Sequence, residues 1–460
     1  MPFDSQQEQG SITLSAIRRL YRRNARITLY KLIEKTHPAK MAWVFRYLSP
    51  SERRDIFKYI QRMAGISGFL DELDHALIPE IFEDMDVSKI SDILSNIPAE
   101  TTVELLESFT DDIADDIRNK MDAKDRDEVD EVLQYEDDSA GRLMSHEFMA
   151  FNENLSIKAA IAQFQDMGDA AEMPFYIYAV DTKQHMVGVL SLRQLLLHPP
   201  ETFLKDIMER DFVYVSPDTD QEDVAQLVSE YNYLALPVLN DKNIIEGIIT
   251  VDDVIDVIRE EATEDILKMA GAGEDEDILL KSTLDSVKTR FPWLLASWLG
   301  GVCALWIIGS YESMLQHTVL LAAFIPVIMG MGGNIGTQTS TIIVRGIATG
   351  HVNIGEVSSV IIKEVSIGVI MGGIYGLLLG LFTYIQYSQM GNPFMLSLTV
   401  GLSVLFSMFI ACLVASFIPI ILYKLDFDPA ISTGPFVTTA IDIIGVLGYF
   451  IIAKNLYSIS

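Results

Sequence analysis

From Phe291 to Ser460 the chain carries only six acids and four bases, and nothing else in the sequence limits its fold so strongly. Five apolar stretches fill that part: Phe291–Ser310, Val319–Ile347, Ile361–Ile385, Met395–Tyr423 and Pro429–Ala453. Each is long enough to cross a hydrocarbon core of about 30 Å as a helix of roughly 20 residues. The remaining 58 acids and 30 bases lie in residues 1–290, so a chain of net charge −30 still has a positive mean hydropathy of +0.26. An acidic, water-soluble module therefore precedes a membrane part. Its surface repels nucleic acid and anionic lipid and concentrates cations.

The start, MPFDSQQEQG, has no apolar core of a signal peptide, so the soluble module is expected to stay in the cytoplasm. Lys288 and Arg290 precede the first span, Arg345 and Lys363 flank the second loop, and Lys424 follows the fourth span. The first and third loops carry no Lys or Arg, so the positive-inside rule gives a cytoplasmic N-terminus and an outer C-terminus. Cys303 and Cys412 sit far apart in apolar runs and form neither a disulfide framework nor a zinc spacing. No P-loop, nucleophile–base set or pump phosphorylation motif is present, and the chain does not read as an enzyme.

Ionisable residues inside spans are site candidates by default. Asp442, in FVTTAIDIIGVLGYF, is the clearest: burying it costs about 2.5–3.5 kcal/mol on insertion scales, with no Lys or Arg in the neighbouring spans to pair with it. Protonation, a water-filled cavity or a cation would relieve that cost. Asp428, in DFDPA, is a helix cap or a cation ligand at the start of the same span. The stretch PVIMGMGGNIGTQ, Pro326 to Gln338, adds four glycines and two amides at membrane depth. Gly332-x-x-x-Gly336 suits close helix packing, but packing leaves Asn334 and Gln338, four apart on one helical face, unexplained. Amides beside glycines offer side-chain and backbone oxygens, with Gly330 the candidate carbonyl donor near Asn334. Mg2+ keeps its water tightly, so its path should present spaced oxygens to a hydrated ion. One Asp per chain is a weak cation site; a two-fold axis would bring two together, which favours a homodimer.

Residues 1–134 read as helical throughout, with LSPSERRDIFKYI, MDVSKISDILSNI, IPAETTVELLESF and FTDDIADDIRNKM as loose repeats opened by helix-start residues. Stacked helical hairpins or an ordinary bundle fit equally. Residues 135–270 change pattern. FYIYAVDTKQHMVGVLSLRQLLL and LALPVLNDKNIIEGIITVDDVIDVI are two copies of a strand–turn–strand–helix unit, each preceded by a helix (Ile157–Met167, Glu222–Tyr231). They resemble a tandem pair of CBS domains, modules that often bind adenosine nucleotides. In that family the Thr and Asp of the second copy's Gly247-Ile-Ile-Thr250-Val-Asp-Asp253 approach a ribose. The first copy has Gln194 where the Asp belongs. Next, VDDVIDVIREEATEDI places Asp252, Asp256, Glu260 and Glu264 four apart on one helix, with Glu261 and Asp265 adjacent. Each like-charge pair costs a helix roughly 0.2–0.5 kcal/mol. The stripe is a solvated face, or a surface that divalent cations draw onto another acidic surface.

Over nearly its whole length the chain resembles the MgtE family of Mg2+ transporters and channels. The resemblance rests on THPAKMAWVFRYLSPSER, YEDDSAGRLM, EEATEDILKMAG, FIPVIMGMGGNIGTQ and DPAISTGPFVTTAIDIIG. It implies four parts: an all-α N-terminal superhelical domain (1–134), an α/β tandem CBS pair (135–270), a connecting plug helix (271–290, about Leu279–Lys288) and a five-helix transmembrane bundle (291–460). It further implies a homodimer in the cell (inner) membrane, with its pore on the two-fold axis. Asp442 would be the pore aspartate, Asn334 the second-span asparagine and Asp428 the inner-mouth aspartate. Mg2+ held by Asp252, Asp256, Glu260, Glu261 and Glu264 would close the gate, and ATP at Thr250 and Asp253 would modulate it. Two residues depart from the family pattern: Gly434 stands where some members have Asn, and Lys40 where an acid is commoner. Transport of Co2+, Mn2+ or Ni2+ is the alternative from the same class, disfavoured because no His or Cys neighbours Asp442 or Asn334 in sequence. A membrane-anchored sensor of Mg2+ or nucleotide without transport is the other.

Overall fold

The computed structural model describes residues 3–458 except 64, 168–174, 274–282, 353–356, 390–391, 426 and 433. Contacts group the chain into two units, 1–258 and 259–460, and the division falls inside a helix.

The described residues of the first unit open with α1 (Phe3–Arg22), α2 (Arg26–Glu34), α3 (Pro38–Tyr47), α4 (Pro50–Ile60), α5 (Ile66–Asp71), α6 (Ile78–Phe82), α7 (Val87–Leu94), α8 (Ala99–Glu107), α9 (Asp111–Arg118) and α10 (Ala123–Val132). Of the helix-start residues read in the sequence, Ser49 and Asp86 cap through their side chains, while Pro98 and Thr110 stand at the N-cap positions of α8 and α9 without a side-chain bond. Ser49 and Glu52 form a reciprocal capping box with Pro50 in the first turn of α4, and Asp86 accepts from Ser88 N ahead of α7. Their apolar faces meet in one core, where Phe45 and Phe69 pack edge to face at 4.8 Å and Phe57 and Phe82 at 5.0 Å. The buried Arg53 is satisfied by both Glu80 oxygens, at 3.0 and 3.2 Å, and by Phe45 O at 2.7 Å.

After α11 (Ala140–Leu143) come β1 (Ala150–Asn152), α12 (Ile157–Met167), β2 (Tyr176–Val180), β3 (Met186–Ser191) and α13 (Leu192–Leu197). The second copy follows: α14 (Gln221–Tyr231), β4 (Ala235–Leu239), β5 (Ile245–Thr250) and α15 (Val251–Met269). β2 and β4 pair antiparallel with β3 and β5, and β1 adds a parallel edge to β2 that a parallel bridge, Val215 to Val238, repeats in the second copy. The duplication extends to turn chemistry. Asp181 Oδ1 accepts from Lys183 N and His185 N, and Asn240 Oδ1 from Lys242 N and Ile244 N, each an Asx turn closed by a residue at positive φ, Gln184 and Asn243.

Among its described residues the second unit holds five helices long and apolar enough to span a membrane: α16 (Thr283–Ser310), α18 (Leu320–Ala348), α19 (Val357–Gln386), α20 (Pro393–Lys424) and α21 (Pro435–Ser458). Short α17 (Glu312–His317) links the first two. α20 is central and packs against α18, α19 and α21, while α16 packs on α21. Gly368, Gly372, Gly376 and Gly380 let α19 lie against α20, where a side chain at 376 would strike the Gly401 backbone. Two expected boundaries move. The last span starts at Pro435, because Pro429–Ser432 forms a separate 3-10 turn held by Asp428 Oδ1 accepting from Ala430 N at 2.7 Å. From Thr283 the expected connecting helix runs unbroken into the first span, Pro292 included; its beginning, 279–282, lies outside the described residues.

Candidate functional site

The glycines of PVIMGMGGNIGTQ divide between two faces of α18. Gly332 packs on Ser407 of α20 and Ile441 of α21, and Gly336 on Ile441, so a side chain at either would collide. Ser407 Oγ donates to Ile328 O at 3.1 Å and fixes this seam. Gly330 and Gly333 face open space instead, and Asn334, Thr337 and Gln338 are exposed on that side. Thr337 Oγ1 turns back to Gly333 O at 3.0 Å, whereas Asn334 and Gln338 have no hydrogen-bond partner among the described residues. Gln338, unexplained by sequence, thus shares the exposed face of Asn334. Asp442 follows the buried Ile441 on α21 and is half-buried, with no ion pair or hydrogen bond among the described residues. Free amides and a free carboxylate at membrane depth require water, a cation or another protein surface.

Asp428, expected at the same path, meets a partner that the sequence reading missed. Its Oδ2 accepts from Lys268 Nζ at 2.6 Å, and Lys268 also pairs with Glu264 one turn earlier on α15. Burial pulls the Lys268 pKa down, but the hydrogen bonds to Asp428 and Glu264 outweigh it and hold the ammonium above its usual range. Burial and then the Asp428 charge push Asp265 up to about 6. Gly434 lies against the same end of α15, where a built Cβ would sit 3.1 Å from Met269 O. The Glu264–Lys268 spacing of four was the signal available in the sequence.

The acidic stripe occupies the solvent side of α15: Asp252, Asp256 and Glu260 are exposed and Val254 and Val257 are buried. Glu261 is half-buried. Within the first unit Asp71, at the end of α5, is drawn into it. Burial raises its pKa first, then the charges of Glu72 and Asp256, with Asp252 adding to them, while Thr101 Oγ1 donates to it at 3.4 Å. Among the described residues no three His, Cys, Asp or Glu side chains stand close enough to hold an ion by themselves.

In the CBS pair, Thr250 is fully buried and its hydroxyl donates to Asp253, whose Oδ2 also accepts from Thr250 N at 3.2 Å. The two cap α15. Gln194 does the same for α13, accepting from Ser191 N at 2.7 Å, so the substitution of Gln for Asp keeps the cap. An open cleft of about 490 Å³ lies between the two copies and is lined by Tyr176, Tyr178, Ser191, Arg193 and Gln194 of the first and Tyr233, Ala235 and Pro237 of the second, among others. Tyr178 is 1% exposed and its hydroxyl has no partner among the described residues.

Three family models match the chain: a divalent cation transporter model over residues 325–452, the MgtE intracellular N domain over 36–138, and a CBS domain over 204–260. The magnesium transporter MgtE of Bacillus subtilis is 31% identical over 422 residues, 92% of each chain. Those of Enterococcus faecalis and Thermus thermophilus are each 36% identical, over 71% and 74% of this chain and 71% and 75% of theirs. Among solved structures, the soluble part of a magnesium transporter matches at 27% identity and TM-score 0.50, covering 55% of this chain and 99% of that one. The cytosolic domain of the Mg2+ channel MgtE in complex with ATP matches at 28% and 0.50, covering 53% and 99%.

Proposed function

Because the chain belongs to the MgtE family of magnesium transporters, we propose that two copies form one Mg2+-selective path and that the acidic soluble module closes it when Mg2+ is plentiful. The exposed face of α18 carries the proposal: Gly330 leaves it open and Asn334 and Gln338 present unpaired side-chain oxygens on a membrane-crossing helix, while α21, packed on α18 through Ile441, carries the half-buried Asp442. A face of that kind is costly against lipid, and a two-fold axis would cover it with its own copy while pairing the two Asp442 carboxylates. A hydrated Mg2+ needs spaced oxygens at such a point, with the carboxylates supplying charge and the amides and Gly330 carbonyls holding its water. Oxygen-only ligands lack the imidazole or thiolate that suits Co2+ and Ni2+, whereas they serve Mg2+ and Mn2+ alike. Asp428 lies where the path would open to the cytoplasm, with residues 1–134 and 135–270 as the sensing domains and 291–460 as the pore domain. The positive-inside loops support an N-terminus inside, and helical rather than barrel spans support residence in the inner membrane where an envelope has two.

For gating, Asp71 supplies the acidic surface opposite Asp252 and Asp256, and Mg2+ bridging them, with Glu260, Glu261 and Glu264 extending the stripe, would relieve the repulsion and fix α15. ATP is the modulator, and we place it in the cleft by Ser191, Arg193 and Gln194, with the tyrosine rings as stacking surfaces and the unpaired Tyr178 hydroxyl as a polar anchor. The ATP complex of the related cytosolic domain supports that ligand. Thr250 and Asp253 then serve by shaping α15. Flux tests the whole reading. Purified protein in liposomes should pass Mg2+ at low Mg2+ on the side of the soluble module and stop as that Mg2+ rises. No flux at any concentration, with the protein folded and dimeric, would leave a sensor without transport.

A further inference from the structure

α18 and α19 part around an apolar cleft of about 250 Å³ lined by Val327, Met331, Tyr375, Leu379 and Val404 among others. Further along α18 they are joined by a polar contact that the path does not use. Glu364, the one acid of α19, is 5% exposed. Thr339 of α18, 2% exposed, donates from Oγ1 to Glu364 Oε2 at 3.2 Å, and the same oxygen lies 3.4 Å from Cys412 Sγ of α20. One turn after Glu364, Gly368 packs against Met408 and Cys412, which fixes the rotation of α19 and aims the carboxyl at α18. An acid buried in a membrane helix is expensive unless it holds something. Thr339 directly follows Gln338 and stands five residues, about 7.5 Å of helix rise, beyond Asn334.

We propose that Glu364 is a positioning residue for the cation path: through Thr339 it sets the rotation of α18 that turns Asn334 and Gln338 outward. This rests on the reading that α18 lines the path. The contact is the inner clamp between α18 and α19, since beyond it the two are separated by the cleft. Loss of the clamp lets α18 turn, which weakens cation capture rather than the amount of folded protein.

The test is Mg2+ influx by the full chain in liposomes over a Mg2+ series, with Glu364→Ala, Glu364→Gln, Thr339→Val and Thr339→Ser. Glu364→Ala and Thr339→Val should each raise the half-saturating Mg2+ about tenfold, the scale of one buried hydrogen bond left unpaired, with maximal flux per inserted protein within twofold. Their combination should be no worse than either alone. Glu364→Gln and Thr339→Ser, which keep an acceptor and a donor, should match the unaltered chain. Lower maximal flux at unchanged half-saturation would mark a purely structural residue and overturn the proposal, as would a silent Thr339→Val. Should Glu364→Ala fail to insert, Thr339→Val, nearly the same shape, decides. Failure of the unaltered chain to transport would sink the underlying reading instead.

Discussion

Replacing Lys268 by Met keeps most of the length of the side chain and deletes one charge. In the unaltered chain the ammonium, 13% exposed, ties Glu264 on α15 to Asp428 beside α21, at 2.6 Å from the latter. A charge-assisted hydrogen bond contributes about 1.5–3 kcal/mol, and partial exposure of both acids reduces that. A loss of about 2 kcal/mol for the docking of α15 at this mouth is therefore expected, or about a 30-fold rise in local opening. The loss has a pH signature. Asp265, pushed up to about 6 by burial and by Asp428, is held down by Lys268 and Arg345. Its docked value lies above its free value, so its ionisation opposes docking: docking is strongest near pH 4, weakens as pH rises to about 6, and the penalty is full above that. Without Lys268 the carboxyl climbs further, so the defect should be large at pH 7.5 and shrink at pH 5. Millimolar Mg2+ should restore docking by standing in for the ammonium among Glu264, Asp265 and Asp428. Hydrogen exchange of residues 264–272 in metal-free nanodiscs reads this directly. Equal protection in both proteins at pH 7.5, or a defect that grows on acidification, would refute the reasoning.

Asp442→Ala should abolish Mg2+ uptake while the protein still inserts, measured by growth of a Mg2+-requiring host; normal growth would remove Asp442 from the path. Neutralising Asp252, Asp256, Glu260 and Glu261 should leave flux open at high Mg2+ on the module side by more than tenfold over the unaltered chain, and unchanged inhibition would reduce the stripe to a solvated face. Tyr233→Ala should weaken ATP binding by about 1–2 kcal/mol through lost ring contact, read by calorimetry on the full chain, whereas Asp253→Asn should change it less than twofold. The reverse order would return the nucleotide to the Thr250 side.

How far the sequence reaches depends on whether a feature is local. Helix starts such as Ser49 and Asp86, the duplicated turns at Asp181 and Asn240, and the five spans follow from neighbours in the chain, and periodicity and caps expose them directly. The start of the last span at Pro429 rather than Pro435 came from hydropathy, which does not register that Asp428 holds a 3-10 turn. Glu364 escaped notice because it lies near the start of an apolar run next to Lys363, where a charge reads as a loop flank.

The sequence by itself determined the division into an acidic module and a membrane bundle, the repeat of the CBS unit, the family, and the residues Asp442, Asn334 and Asp428 as cation candidates. Those follow from residue type and spacing, and the family from the resemblance of its motifs. Only the tertiary structure decided what each candidate faces: that Gly332 and Gly336 are packing and Gly330 and Gly333 are open, that Lys268 occupies Asp428, that Asp71 joins the stripe, and that Thr250 and Asp253 close on each other. The reason is physical. Charge and polarity belong to a residue, but their cost and use depend on what is brought against them, and partners such as Lys268 and Asp428, 160 positions apart, meet only when the helices pack.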